Sequence, residues 1–280
     1  MNRENRAFEC DAITAAWNAK KLWALQVLGS IALLLGTYGW LRIPDAKVLQ
    51  VGFTAVLAII LVMAFLWLEA GTLAYFRQPD SENDSPASAF RRSHVLAFAV
   101  SFAIFACLMW AVLSLNPYLA QFAGWQRHVL PQAVRTRISP RTVFTILSIK
   151  WFVLFWIIVP AVFLPFLSQA AATGFLAFAP TGLRHAGRAM WHLRYWIGYI
   201  VLFFMGGYLP YELVWWQPKT NGLWSQATNM GIRFIVAYLL AITCWLLLAS
   251  LLGRFSAEGP ASASSVTTSP VVPAEPVASL

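Results

Sequence analysis

The chain is 280 residues long, 59% of them hydrophobic and only 11% charged, with a mean hydropathy of +0.64. An ordinary soluble domain carries ~25% charged residues. A soluble chain has nowhere to bury this much apolar surface, so lipid is the solvent for most of it. The net charge of +9 and pI near 9.8 do not point to nucleic acid, because no basic segment forms a recognition helix or an aromatic-basic platform. The cations sit in short loops between apolar runs, where orientation and anionic headgroups account for them.

Residues 1–21 are polar and mixed in charge, with Phe8, Ile13 and Trp17 spaced as one helical face. The segment is too long and too acidic for a signal-peptide leader and no small-residue cleavage site follows, so a short helix on the membrane surface is expected. Lys20 and Lys21 abut a first span over 22–41, whose Gly29, Ser30, Gly36 and Gly39 suit close helix packing. A tight turn at Pro44 and Asp45 leads into a second run, Val48 to Phe76, of which 48–69 suffices to span; its last residues, Glu69 among them, are expected to protrude. The polar stretch from Arg77 to Ser93 reads as a solvated loop. The third span, 94–115, holds no charge past His94.

From Asn116 to Arg141 the pattern changes. Tyr118, Leu119, Phe122, Trp125, Val129, Leu130, Val134 and Ile138 recur at three- and four-residue steps, with Arg127, His128, Arg135 and Arg137 between them and Pro131 as a break. Such amphipathicity predicts a helix lying in the interface, and a lid over the bundle is the competing reading.

The fourth span, 143–167, carries Lys150 near its start and Pro160 and Pro165 near its end, where kinks are expected. The Ala- and Gly-rich segment from Ser168 to Gly182 is too short to span and reads either as a helix continuation or as a re-entrant piece. Arg184, Arg188 and His192 follow at four-residue steps, one face of a helix suited to lipid phosphates or to a simple positive anchor. The fifth and sixth spans, 194–213 and 232–252, flank a turn rich in tryptophan: Trp215, Trp216 and Trp224. Residues 256–280 lack aromatic content and periodicity, so they read as a disordered tail.

The expected fold is therefore all-α: a bundle of six transmembrane helices over 22–255 with an additional interfacial amphipathic helix. On the side of the N-terminus stand eleven cations, Arg3, Arg6, Lys20, Lys21, Arg77, Arg91, Arg92, Arg184, Arg188, Arg194 and Arg254. Opposite them stand eight, Arg42, Lys47, Arg127, Arg135, Arg137, Arg141, Lys219 and Arg233. The positive-inside rule then places both termini in the cytoplasm of a plasma or bacterial inner membrane.

Chemistry is sparse. No HExxH, GxSxG, P-loop or glycine-rich dinucleotide fingerprint occurs, and Cys10, Cys107 and Cys244 are too far apart for a metal or disulfide framework and read as buried, inert thiols. The sequence proposes no catalytic residue, no metal ligand and no cofactor. Ionisable groups in lipid are costly and mark places to look. Depth arithmetic puts Lys150, Glu212 and Arg233 near one face and Glu69, Arg188 and Arg194 near the other, as two charge clusters or as side chains that each snorkel to water alone. The expected partners are membrane lipids with anionic headgroups, and a protein partner or a second copy of the chain. A non-catalytic envelope scaffold that holds a partner or lipid is the leading reading. The alternative is a small-solute permease or the membrane component of a transporter.

Overall fold

The computed structural model describes residues 13–44, 47–77, 86–216 and 222–257. Among them every regular element is helical. The elements are α1 (Lys20–Leu41), α2 (Val48–Arg77), α3 (Pro86–Arg92), α4 (Val95–Ser114), α5 (Leu119–Val129), α6 (Gln132–Arg135), α7 (Pro140–Phe152), α8 (Val159–Thr173), α9 (Pro180–Trp191), α10 (Leu193–Phe203), α11 (Leu209–Trp215) and α12 (Leu223–Ala257). Short π-helical turns, Val153–Ile158 and Phe204–Tyr208, join α7 to α8 and α10 to α11; 3-10 turns, Asn116–Tyr118 and Gly174–Phe178, follow α4 and α8. Six stretches are long and apolar enough to cross a membrane, so the chain is a multi-pass membrane protein.

The six spans form three helical hairpins: α1 with α2, α4–α5 with α7–α8, and α10–α11 with α12. The packed core lies in the half nearest the N-terminal face, where Leu66, Ala70 and Leu73 of α2 meet Ala161 and Leu167 of α8, Tyr195 of α10, and Leu248 and Leu252 of α12. Toward the opposite face the same helices expose their apolar side chains, among them Val51, Val56 and Ile59 of α2 and Ile232, Phe234 and Ile235 of α12. Lipid-facing surface of this kind is cheap in a bilayer, so packing there need not be dense.

α12 and α2 form the central pair, and Gly253 of α12 lies against the Phe76 carbonyl of α2. A methyl group at Gly253 would collide with that backbone oxygen, so the contact requires glycine. In α1, Gly29 faces Leu68 and Gly36 faces Leu61, as the packing expectation requires, whereas Gly39 has open space around it.

Several boundaries depart from the sequence reading. α2 has 30 residues, ~45 Å at 1.5 Å per residue, and continues past Glu69 without a break because its last three turns are buried against α3, α8 and α12. α12 has 35 residues and begins well before Ile232. Part of the presumed solvated loop is helix: α3 seals Phe90 over Gly71 and against the Trp67 ring, at 5.0 Å between centroids. The rest of that loop, 78–85, lies outside the described residues, as do 1–12 and the expected tail beyond 257. Before α1 a short helix covers 13–18; Ile13 and Trp17 are exposed and the Trp23 indole donates to the Ala16 carbonyl at 2.8 Å. Cys244 is buried, but Cys107 lies on the exposed face of α4; Cys10 is outside the described residues.

The amphipathic stretch forms two main helices. α5 continues α4 through the 3-10 turn, and its partner is the start of α7. The 20 residues of α4 already cover ~30 Å, so α5, α6 and the first turns of α7 stand at the face opposite the N-terminus. Beyond Ser168, α8 runs on to Thr173; Gly174 at φ +67° ends it, and the chain turns into α9 at the N-terminal face.

Candidate functional site

Polar side chains within the bundle bind helix to helix. Gln26 of α1, 2% exposed, donates from Nε2 to Oε1 of Glu69 at 3.2 Å and accepts from the Thr72 hydroxyl at 3.0 Å. Thr72 is also within hydrogen-bond distance of the Leu68 carbonyl, 2.9 Å away. One amide thus serves a carboxylate and a hydroxyl one turn apart on α2. Oε2 of Glu69 is sealed from solvent, and the indole Nε1 of Trp245 on α12, sealed likewise, stands beside the carboxylate as a donor. The Gln26–Glu69–Thr72–Trp245 group links the first hairpin to α12.

A second joint lies nearer the N-terminal face. Arg77, the last residue of α2, donates to Oε1 of Gln169 on α8. Gln169 in turn donates from Nε2 to the Thr173 hydroxyl at 3.3 Å. The backbone N–H of His94, just before α4, donates to the Ala171 carbonyl at 3.0 Å. Three spans meet here through these hydrogen bonds.

The third joint answers the prolines. A proline has no N–H for the carbonyl four residues before it. Pro160 leaves Trp156 without that donor and Pro165 leaves Ala161. Two tyrosines of α10 supply replacements: Tyr195 donates to the Ala161 carbonyl at 2.5 Å and Tyr199 to the Trp156 carbonyl at 3.3 Å. The second bond falls where the helix has widened into the π turn Val153–Ile158. Tyr195 is fully buried and Tyr199 nearly so.

The charge clusters expected from depth do not assemble as ion pairs among the described residues. Glu69 lies deeper than its distance from Val48 suggests, because α2 runs ~12 Å past it; its partner is Gln26, and neither Arg188 nor Arg194 reaches it. On the other face Lys150 is exposed on α7 and Glu212 is exposed on α11, facing the Tyr208 hydroxyl one turn earlier. Arg233 of α12 reaches instead for backbone: Nη1 donates to the Leu213 carbonyl at 3.3 Å and Nε to the Asn229 carbonyl at 3.4 Å. Leu213 stands in the last turn of α11, where carbonyls have no helical donor, and the guanidinium supplies one.

Arg184 and Arg188 share an exposed face of α9 at the N-terminal side. His192 does not continue that face. The helix breaks there into extended backbone, φ −89° and ψ 113°, and the imidazole stacks on Phe255 at 5.4 Å. Arg194, in the first turn of α10, is half-buried.

Sequence reasoning missed Gln26, Thr72, Gln169, Tyr195 and Tyr199. The first three are neutral and sit singly in or beside apolar runs, where a search for charge passes them over. The tyrosines carried a readable signal: four residues apart on a span antiparallel to one with prolines five apart. Comparison of the chain with models of protein families, with characterised proteins and with solved structures found no match.

Proposed function

We propose that the chain is a non-catalytic membrane scaffold that holds lipid headgroups and a partner, either another protein or a second copy of itself. In this reading it sits in a plasma or bacterial inner membrane with both termini in the cytoplasm. The observation that carries it is the use of the intramembrane polar side chains. Gln26, Glu69, Thr72, Arg77, Gln169, Tyr195 and Tyr199 all bond one helix to its neighbour. Permanent joints of this kind favour a fixed frame over a moving one. The exposed Arg184 and Arg188 give the frame a surface for anionic headgroups on the N-terminal side.

The test is thermal unfolding in vesicles of phosphatidylcholine alone and in vesicles with about one-fifth phosphatidylglycerol. The anionic lipid should raise the melting temperature, and Arg184→Gln with Arg188→Gln should remove most of the rise. Equal melting in both vesicle types would sink the lipid-holding part of the reading.

One feature favours the alternative, a small-solute permease. Two neighbouring spans, α7–α8 and α10–α11, both carry a π turn followed by proline, and interrupted helices side by side are how transporters build binding sites. A cysteine at Phe155, buried inside the first π turn, separates the two. The scaffold keeps it from water-borne thiol reagents; a permease opens it to them.

A further inference from the structure

At the face opposite the N-terminus, α5, α6 and the start of α7 enclose a cleft of about 400 Å³. Gly124 and Ala123 of α5 and Phe144 of α7 leave it hollow, and Arg127, His128, Arg135 and Arg141 line it. The four come from three separate helices. The Nε atoms of Arg127 and Arg135 are sealed from solvent with no acceptor. An unpaired buried donor costs about 1–3 kcal/mol, and more when charged. No acidic residue is near in sequence to relieve it: between Asp84 and Glu212 the chain has neither aspartate nor glutamate. The first turn of α7, capped by Ser139 accepting from Thr142 N–H at 3.1 Å, opens at Pro140 on the rim and adds its positive helix end to the same field.

Guanidinium groups brought from three helices to one cleft, with no carboxylate near them in sequence, make a receptor for an anion. We infer that the α5–α7 cleft binds a phosphate group, held by Arg127 and Arg135 with Arg141 and His128 at the mouth. A phosphate offers several acceptor oxygens in three dimensions, so it can take hydrogen bonds from the forks of two arginines together. Tyr118, Phe122 and Trp125 are exposed elsewhere on α5 and its preceding turn. Aromatic rings of this sort settle at headgroup level, so the phosphate has two sources within reach: a lipid headgroup in the adjacent leaflet or a phosphorylated solute from water. The cleft stands apart from the scaffold reading above, which concerns the intramembrane joints and the α9 surface.

The experiment uses the full chain in detergent, titrated by calorimetry with inorganic phosphate in a phosphate-free buffer. In parallel, native mass spectrometry measures retention of phosphatidylglycerol against phosphatidylcholine of the same chain length. Arg127→Gln with Arg135→Gln is compared with wild type and with Arg184→Gln plus Arg188→Gln on the other face. Saturable phosphate binding that weakens at least tenfold in the first double variant, and not in the second, identifies a solute site. Selective retention of phosphatidylglycerol with the same dependence, and no binding of inorganic phosphate, identifies a headgroup site. Arg135→Lys, which keeps the charge but loses the fork, should weaken whichever ligand binds by several-fold. Without ligand the Gln variants should melt at or above wild type, since they remove repulsion and an unpaired donor. Binding of neither ligand, equal binding by wild type and the Arg127 and Arg135 variant, or equal loss in the control pair overturns the proposal.

Discussion

The Tyr195 hydroxyl donates to the Ala161 carbonyl at 2.5 Å, across from one helix to the next and four residues before Pro165. The bond repairs a hydrogen bond that the proline deletes, in a medium that offers no water to do it. Its neighbour Tyr199 treats Pro160 likewise through the Trp156 carbonyl. The prolines thereby become specificity devices: the fourth span is satisfied only when the fifth lies beside it in this register.

That pairing predicts a coupling. Tyr195→Phe should destabilise the protein by about 1–2 kcal/mol, toward the upper end for hydrogen bonds between membrane helices, and Tyr199→Phe by less because its bond is longer. Pro165→Ala restores the backbone donor, so Tyr195→Phe should cost much less in that background. The double-mutant cycle, read by thermal unfolding in detergent, checks it. Additive effects would mean that the hydroxyl and the proline are unrelated.

The Gln26 joint makes a different kind of prediction. Gln26→Leu takes the amide donor from Glu69 and leaves Thr72 only the Leu68 carbonyl, and should cost about 2–3 kcal/mol. Glu69→Gln replaces the carboxylate by an amide that can still accept from Gln26 and should be neutral or stabilising. If Glu69→Gln proves the more damaging, the carboxylate has a role beyond joining helices.

The all-α membrane bundle and its six spans were legible because a bilayer demands long apolar runs, and nothing else in the chain competes with that signal. Helix ends were less so. α2 and α12 continue where hydropathy falters, since Ala70–Ala74 and the residues up to Phe255 are held by packing rather than by lipid. The site was harder still. Charge alone puts Glu69 among arginines, yet in the fold a neutral glutamine more than forty positions earlier in the chain bonds one of its oxygens. Depth arithmetic gives a height in the membrane but no angle around the bundle, and partners are chosen by angle. Arg233 finds its partner in a backbone carbonyl, a group present at every position and so invisible to residue pattern.

Glycines of the bundle should split into two classes. Gly253→Ala places a methyl group against the Phe76 carbonyl and should cost about 1–3 kcal/mol or separate α12 from α2. Gly39→Ala meets nothing and should be neutral or stabilising by up to about 1 kcal/mol through helix propensity. Melting temperatures of the two variants, measured in one detergent, check the difference, and equal melting would mean that α12 does not lie against the Phe76 carbonyl.

Orientation is open to chemical labelling. Thr181 on α9 and Thr136 beyond α6 are exposed at opposite faces. With native cysteines replaced, Thr136→Cys should react with an impermeant thiol reagent in intact cells, and Thr181→Cys only after permeabilisation. The reverse pattern would place the termini outside and move the phosphate cleft to the cytoplasmic leaflet.

Arg233, Lys150 and Glu212 share a face, but only the first has structural work to do. Its guanidinium donates to the Leu213 carbonyl in the closing turn of α11 and so fastens the third hairpin just where its tryptophan-rich turn begins. A cation there also complements the negative end of the α11 dipole. Removing it as Arg233→Met should lower stability by about 1–2 kcal/mol, because the carbonyl loses a charged donor. Lys150→Met and Glu212→Gln, both exposed, should stay within about 0.5 kcal/mol of wild type. The double variant of Glu212 and Arg233 should simply add. A coupling above about 1 kcal/mol between those two would show that carboxylate and guanidinium meet after all, and that the backbone carbonyl is the lesser partner.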